Sequence, residues 1–301
     1  RVQAVLSGGV PDRVPVYDGY WWQTIERWRR EGMPADISPA ELFGFDIAPL
    51  AGFDYSLQLP TQVLETAERY RVIVDANGAT RTEMGAGAAA TSSWLDFTIK
   101  GPDDWRPLSE QATFNPSRIW PGIMESYRSA RDQDKFVVYM IHSCFHPTWH
   151  KVGMENLLVW FHEEPELVAE MFQAHTQLVM DLYDATKAMG IEYDGAWMAD
   201  DLGFRTAPLI SPAMYRDAVM PYHKQVCDHF AADGLKTMLH SDGNVAPLIP
   251  HFLDAGFGAL HPPEAKADLD VRTLKPQYGD RLVLFGNIDV RKLAGSRAEI
   301  E

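Results

Sequence analysis

The sequence predicts an α/β protein built as a (β/α)8 TIM-type barrel. Three observations support this: apolar runs with strand character alternate with helical stretches, the chain has 301 residues, and no G-x-G-x-x-G follows a strand. Such alternation implies a parallel sheet covered by helices. The length suits a single barrel, and the missing glycine motif weakens the doubly wound, dinucleotide-binding alternative.

Seven runs have strand character, and we expect each to form a barrel strand. They are Val14–Tyr17, Phe45–Leu50, Phe136–Ile141, Tyr193–Met198, Leu235–Leu239, Ala259–His261 and Leu282–Phe285. No eighth strand is evident before Glu301. We therefore expect the C-terminal end of the barrel to be truncated in this sequence.

Capping residues predict where several helices begin and end. A proline in the first turn predicts a helix over Pro165–Met189. Ser211–Pro212 indicates an N-cap followed by a first-turn proline, and Gly234 ends that helix. A further helix over Val245–Ala255 is expected to end at Gly256.

One segment departs from the strand–helix alternation. The stretch RVIVDANGATRTEMG, Arg71–Gly85, carries Asn77–Gly78 between two short runs with β character. Asparagine–glycine between such runs strongly indicates a β-hairpin. We therefore predict a single barrel domain over residues 1–301, with a hairpin-bearing insertion at residues 60–121.

Composition and charge exclude several classes of function. The chain has 27 Lys and Arg against 42 Asp and Glu, a net charge of −15, so a nucleic-acid partner is not expected. No apolar stretch approaches the roughly 18 residues of a membrane span, and no signal peptide is visible. The isolated Cys144 and Cys227 indicate a reducing, cytoplasmic compartment without a disulfide framework.

Polar side chains gather where the predicted strands end, which is where barrels of this kind carry their active sites. They occur in the stretches YDGYWW, IHSCFHPTWH, WMADDLGFR, LHSDGN, LHPPE and FGNID. Each stretch alone also has an ordinary explanation. Asp242-Gly243-Asn244, for example, is typical of a turn with a capping carboxylate. Their occurrence after most of the strands indicates a shared site.

Two kinds of chemistry remain open from these residues. His240 and Asp242 offer an imidazole and a carboxylate as ligands for a divalent metal. Their i, i+2 spacing places both on one face of an extended segment. The same groups can also transfer protons without a metal.

Several stretches resemble the uroporphyrinogen decarboxylase superfamily. They are DDLGFRTAPLISPAMYRDAVMPYHKQV, LHSDGNVAPLIPHFLDAGFGALHPPE, LKPQYGDRLVLFGNID, RVQAVLSGGVPDRVPV and VGMENLLVWFHEEPELV. The resemblance implies the (β/α) barrel fold and one of two activities. One is decarboxylation of a tetrapyrrole without a cofactor. The other is cobalamin-linked methyl transfer, with zinc held by a His-x-Cys pair and a later cysteine.

Departures from the family patterns favour the methyltransferase branch. After its first strand the decarboxylase has arginines that pair with substrate carboxylates, whereas this chain has Asp18 and aromatic residues there. His240 matches the histidine of His-x-Cys, but Asp242 replaces the cysteine. A carboxylate in place of a thiolate makes a harder, weaker zinc site, and Glu264 is the expected substitute ligand.

The resemblance thus implies a zinc-assisted methyl transfer. One partner is a small methylated compound, which could be aromatic, or a folate-type carrier, and the other partner is a corrinoid protein. The implied metal ligands are His240, Asp242 and Glu264. The implied catalytic residues are His240, Asp200, Asp201 and His142. The implied substrate-binding residues are Asp18, Tyr20, Trp21, Trp22, His146, Arg205, Asn244 and Asn287. The alternative enzyme is a metal-free carboxy-lyase acting on a porphyrinogen or a smaller acid, which Arg205 would bind. A third alternative is a corrinoid-protein-binding homologue without chemistry.

Overall fold

The structure, a computed structural model, describes residues 1–84 and 92–300. Residues 85–91 of the predicted insertion, with Gly85 at the end of its hairpin segment, and Glu301 lie outside the described residues. The strands are β1 (Ile47–Leu50), β2 (Gln62–Thr66), β3 (Tyr70–Val74), β4 (Ala79–Met84), β5 (Trp94–Phe97), β6 (Phe136–His142), β7 (Gly195–Ala199), β8 (Thr237–His240), β9 (Phe257–His261) and β10 (Val283–Leu284).

The helices alternate with the strands of the larger sheet. They are α1 (Val2–Leu6), α2 (Trp22–Arg30), α3 (Pro39–Leu42), α4 (Pro102–Trp105), α5 (Ile123–Asp132), α6 (Phe145–Val152), α7 (Met154–Glu163), α8 (Pro165–Ala188), α9 (Pro212–Met214), α10 (Met220–Ala232), α11 (Ile249–Ala255), α12 (Val271–Tyr278), α13 (Val290–Leu293) and α14 (Arg297–Ile300). Across the described ranges, no helix is long and apolar enough to cross a lipid bilayer.

The predicted helices are confirmed, although α11 begins at Ile249 and not at Val245, after a 3-10 turn over Ala246–Leu248. Helix α8 begins at Pro165, and the hydroxyl of Ser211 accepts the Met214 backbone N–H at 3.1 Å to cap α9. A π-helical turn joins α9 to α10, which ends shortly before Gly234. Gly256 follows α11 with a φ of 104°, a left-handed conformation that glycine adopts without steric cost.

Six parallel strands form one sheet in the order β1-β6-β7-β8-β9-β10. Its inner face closes on an apolar cluster, since register places Met140 beside Trp197 and Trp197 beside Met238 in one layer. The Tyr17 ring lies within this cluster, 5.0 Å from the Trp197 ring and 6.3 Å from the Phe285 ring, centroid to centroid.

The outer face of the same sheet packs against helices and forms the larger core. Tyr139 of β6 points outwards and donates its hydroxyl to the carbonyl of Val179 in α8 at 2.8 Å. Helix α8 presents buried residues at helical spacing to this face, among them Leu167, Val168, Met171, Phe172, Leu178 and Leu182. A parallel sheet with an apolar cluster on its inner face and helices on its outer face is the arrangement of a TIM-type barrel, so the predicted fold class is confirmed. The described sheet keeps β1 and β10 as free edges and is not closed.

Six of the seven predicted strands are present, and the prediction of a strand at Val14–Tyr17 is wrong. This segment makes no strand ladder because Pro15 has no N–H and the N–H of Val16 bonds to the side chain of Asp46 at 2.7 Å. A single backbone bond, from the Asp46 N–H to the Val16 carbonyl, links it to the residue before β1.

A four-stranded antiparallel sheet, β2-β3-β4-β5, lies between β1 and β6 in the chain. The predicted hairpin is confirmed, since β3 pairs with β4 across the turn at Asn77–Gly78. Gly78 has a φ of 76°, and a Cβ there would lie 2.7 Å from the Thr98 hydroxyl, so the turn requires glycine. The division into one domain with an insertion at residues 60–121 stays a prediction.

The loop after β1 is tied to the segment that follows the small sheet by Arg118, which is 1% exposed. Its guanidinium donates to the carbonyls of Thr113, Asp54 and Ser56, each at 2.8 Å, and to that of Gln111. Burial lowers the pKa of this group. The arrangement places the loop after β1 beside the end of β6.

Candidate active site

Adjacent strands bring their last residues into one row. Register pairs His142 with Ala199, Ala199 with His240, and His240 with His261. Register partners point to the same face, as do residues two apart in a strand. Because the apolar inner layer lies two residues earlier, the three histidines point into the barrel above that layer.

The two aspartates that follow β7 point to opposite sides. The carboxylate of Asp200 is fully buried and accepts the His223 Nε2–H at 2.8 Å and the backbone N–H groups of Phe145 and His146 at 3.1 and 2.6 Å. It therefore holds the N-terminus of α6. Asp201 instead points inwards. The catalytic role of Asp200 stays a prediction, and its contacts are those of a residue that positions α6.

Asp201 lies at the centre of a cluster with His240 and Asp242, called here the triad. Its Oδ1 lies 3.6 Å from Nε2 of His240 and accepts the backbone N–H of Asp242 at 3.2 Å, and its Oδ2 lies 3.2 Å from Nδ1 of His146. Nε2 of His240 lies 3.9 Å from Oδ1 of Asp242. One ligand atom from each triad residue lies within 4.8 Å of the others.

Opposite effects act on the two triad carboxylates. Burial alone would raise the pKa of Asp201, but the close imidazoles of His146 and His240 outweigh it and lower the pKa to about 2. For Asp242, burial and the carboxylates of Asp201 and Glu264 raise the pKa against the opposing effect of His240. Asp201 is therefore ionised at neutral pH. The negative charges of Asp201 and Glu264 disfavour ionisation of Asp242.

His142 lies at the edge of this cluster as a neutral imidazole. Burial, with the nearby His146, lowers its pKa to about 4. Its Nδ1 is 2.6 Å from the hydroxyl of Tyr55, whose own pKa burial raises to about 12. The phenol and Nδ1 share one hydrogen bond, and when the phenol is the donor His142 keeps its hydrogen on Nε2.

His261 stands directly behind His240. The two Nδ1 atoms are 2.8 Å apart, and the His261 ring packs 5.0 Å from Trp197 and 4.8 Å from Phe285, centroid to centroid. Burial, with the neighbouring His240, lowers the pKa of His261 to about 3. The sequence shows His261 in LHPPE without indicating a role for it, and no local pattern indicates Tyr55. Both residues join the site through contacts between segments that are far apart in the chain.

Glu264 and Asn244 lie beside the triad but bind loop groups. The carboxylate of Glu264 accepts the backbone N–H of Gly243 at 2.7 Å and pairs with Lys266 at 2.7 Å. Asn244 donates its amide to the carbonyl of Ala267 at 3.0 Å. The role of Glu264 as a metal ligand stays a prediction. The second carboxylate that lies together with His240 and Asp242 is that of Asp201.

Asn287 and Arg205 are not brought into the triad. The amide of Asn287 donates to the carbonyl of Pro263 at 2.9 Å and its oxygen accepts the Val271 N–H at 3.3 Å. Arg205 is exposed in the loop after β7. Within residues 1–84 and 92–300, no arginine or lysine is ion-paired with a triad carboxylate.

The four substrate-binding residues predicted in the N-terminal segment make no contact with the triad among the described contacts. Tyr20 packs 4.6 Å from Trp28 of α2 and 6.1 Å from Phe43, centroid to centroid. Trp21 and Trp22 are 72% and 45% exposed. The fourth residue, Asp18, accepts the N–H of the next residue. Their role in substrate binding stays a prediction.

The triad fits a divalent metal by donor chemistry and spacing. Zinc bonds of about 2.0–2.2 Å in tetrahedral geometry separate ligand atoms by roughly 3.3 Å, close to the 3.6 and 3.9 Å that join His240 Nε2 to the two carboxylates. One imidazole and two carboxylates form a harder set than thiolates, which suits zinc, manganese or iron(II).

Comparisons with known proteins agree with this picture at the level of family and fold. The family model described as uroporphyrinogen decarboxylase (URO-D) matches residues 143–301, more than half of the chain. No curated protein sequence matches. Six chains of solved structures are similar, among them a methyltransferase from Methanosarcina mazei with 20% sequence identity and a TM-score of 0.65, over 95% of this chain and 81% of that one.

The matched region begins at the end of β6 and contains the whole triad together with the buried Asp200. At 20% identity the solved methyltransferase supports the barrel fold alone. The sequence resemblance, the fold and the family match thus coincide, and the chain belongs to the uroporphyrinogen decarboxylase family.

Proposed function

We propose that the protein is a metal-assisted methyltransferase. It would move a methyl group between a small methylated compound, or a folate-type carrier, and a corrinoid protein. The observation that carries the proposal is the triad, which gathers one imidazole and two carboxylates on the inner face at the carboxyl ends of β7 and β8. Active sites of barrel enzymes lie at this end.

Asp201, His240 and Asp242 would hold the metal, most simply zinc. When bound, the metal supplies a Lewis acid that activates a thiol or another heteroatom for methyl transfer. Asp201 is suited to binding a cation because its pKa of about 2 keeps it ionised.

The remaining groups would orient the substrate around that centre. His142 offers its Nε2–H to a substrate heteroatom, because Tyr55 occupies Nδ1. The apolar layer of Trp197, Met238 and Tyr17 forms a floor that suits a methyl group and excludes water. We retain Trp21 and Trp22 as a proposed wall for an aromatic substrate or the face of the corrinoid.

The charge of the triad argues against the carboxy-lyase alternative. A substrate with several carboxylates requires cationic partners, and bidentate arginine is the strongest of these. Over the described ranges, the triad has two carboxylates and no paired arginine or lysine, and Arg205 is exposed.

Metal analysis and a methyl-transfer assay test the proposal together. Purified protein should contain about one zinc per chain and transfer methyl groups from a panel of O-, N- and S-methyl donors to cob(I)alamin, followed by its visible spectrum. His240→Ala should lose metal and transfer. His229→Ala is the matched control, since His229 pairs with Asp184 on the outer helices. A metal-free protein that decarboxylates a small acid would refute the proposal.

A further inference from the structure

Two imidazoles meet behind the proposed metal ligands. Nδ1 of His240 lies 2.8 Å from Nδ1 of His261, and the two residues are register partners on β8 and β9. A hydrogen bond between two nitrogen atoms requires one hydrogen. One Nδ1 therefore donates and the other accepts, and the choice fixes the tautomer of each ring.

The His261 ring lies against Trp197 and Phe285 inside the barrel, 5.0 and 4.8 Å away between centroids. If Nδ1 of His261 were the donor, Nδ1 of His240 would have to accept, and a neutral His240 would then carry its hydrogen on Nε2.

The proposed metal site requires the opposite arrangement at His240 Nε2. This atom lies 3.6 Å from an oxygen of Asp201 and 3.9 Å from one of Asp242. Both distances are too long for hydrogen bonds but close to the separation of two ligands on one metal. A metal can bind Nε2 only through its lone pair, so the hydrogen must sit on Nδ1.

We propose that His261 is a positioning residue that accepts the Nδ1–H of His240 and thereby directs the Nε2 lone pair towards Asp201 and Asp242. The inference rests on the proposed metal site and adds the residue that orients its imidazole ligand. A hydrogen bond to the far nitrogen of a metal-binding histidine fixes the ring and raises its basicity. In this role His261 acts through His240 and not on the metal itself.

Two substitutions separate this role from simple packing. In His261→Asn the amide oxygen takes the place of Nδ1 and can still accept. In His261→Leu a side chain of similar size cannot. Leu260→Met is the matched control, because Leu260 is the buried neighbour of His261 on β9, faces the outer core, and leaves both histidines in place.

Zinc affinity is the measurement, by calorimetric titration of apoprotein with ZnCl2, with Co2+ absorption as a check on coordination. We expect His261→Asn and Leu260→Met to stay near the parent, and His261→Leu to bind about 10- to 100-fold more weakly. Circular dichroism establishes that each variant is folded. The proposal is overturned if His261→Leu binds like the parent, or if His261→Asn is as weak as His261→Leu.

A second readout needs no metal and separates failure of this inference from failure of the proposed function. Long-range 1H–15N NMR of the apoprotein reports which nitrogen of His240 carries hydrogen. Hydrogen on Nδ1 supports the hydrogen bond from His240 to His261, and if the parent then binds no zinc, the metal proposal alone fails. A neutral His240 with hydrogen on Nε2 overturns it.

Discussion

At the scale of single residues, Asp200 and Asp201 show what a local pattern leaves undecided. Both are predicted catalytic residues, and consecutive residues at a strand end point to opposite faces. The predicted strand ended at Met198 and the actual one ends at Ala199. A shift of one residue in the position of a strand exchanges its two faces. The sequence therefore locates the strand end without deciding which aspartate faces inwards.

Tyr55 and His261 mark a second limit at this scale. Tyr55 reaches His142 across 87 positions of sequence, and His261 reaches His240 across 21. Such pairs depend on strand order and register, which local patterns do not reveal. His240 and Asp242 could be predicted because both lie within one short stretch after a strand.

Zinc affinity should rise in Asp242→Cys. The side chain of Asp242 is 54% exposed, so a thiol fits without disturbing the core, and zinc favours sulfur over a carboxylate. Chelator competition measures the affinity. Asp254→Cys is the control, because Asp254 is an exposed carboxylate 3.9 Å from His251 on α11. An affinity no higher than the parent's would remove Asp242 from the metal site.

At the scale of elements, strand positions followed from apolar runs wherever backbone ladders were free to form. The strand predicted at Val14–Tyr17 does not form, because Pro15 has no N–H and the carboxylate of Asp46 occupies a backbone N–H that a ladder would need. Tyr17 still packs in the centre of the barrel. The hairpin could be predicted because its turn requires a glycine, and that glycine is visible in the sequence. The anchoring of the loop after β1 by a buried arginine has no local sequence pattern.

Arg118→Ala should destabilise the protein by about 3 kcal/mol or more, because a buried side chain is lost and four backbone carbonyls, among them those of the partly buried Asp54 and Ser56, lose their donor. Urea unfolding followed by circular dichroism measures the loss. Arg128→Ala on the exposed side of α5 is the control and should change stability by less than about 0.5 kcal/mol. Equal stability of the two variants would mean that Arg118 does not anchor the loop.

At the scale of the whole molecule, buried neutral histidines set the response to acid. Burial lowers the pKa of His142 to about 4 and of His150, His175 and His261 to about 3. In the unfolded chain these groups protonate near pH 6.5. The unfolded state therefore binds more protons between about pH 6.5 and pH 3, and stability falls as the pH falls through this window.

Acid unfolding should accordingly begin below about pH 6 and become steeper towards pH 4. Replacing the partly buried His150 by Phe removes one of these groups, so the unfolding free energy should depend less on pH from 6 to 4, by up to about 1.4 kcal/mol per pH unit. Urea titrations at several pH values measure this slope. The exposed His162→Phe serves as control. An unchanged slope in His150→Phe would mean that this imidazole titrates normally.

Uroporphyrinogen should not be decarboxylated. The chain carries a net charge of −15, and the inner strand ends present Asp201 and Asp242 where an octacarboxylate needs cations. Chromatography of porphyrin products after anaerobic incubation measures this, with an authentic decarboxylase as positive control. Formation of coproporphyrinogen at a comparable rate would refute the charge argument, and with it the preference for methyl transfer.

The central claim is that the triad binds a divalent metal inside the barrel mouth. Anomalous diffraction from zinc-loaded crystals, with data on both sides of the zinc edge, tests it without knowledge of the substrate. The account predicts one peak within about 2.3 Å of His240 Nε2 and of a carboxylate oxygen from both Asp201 and Asp242. A fully occupied zinc elsewhere, with the triad residues bonded only to each other and to water, would contradict it.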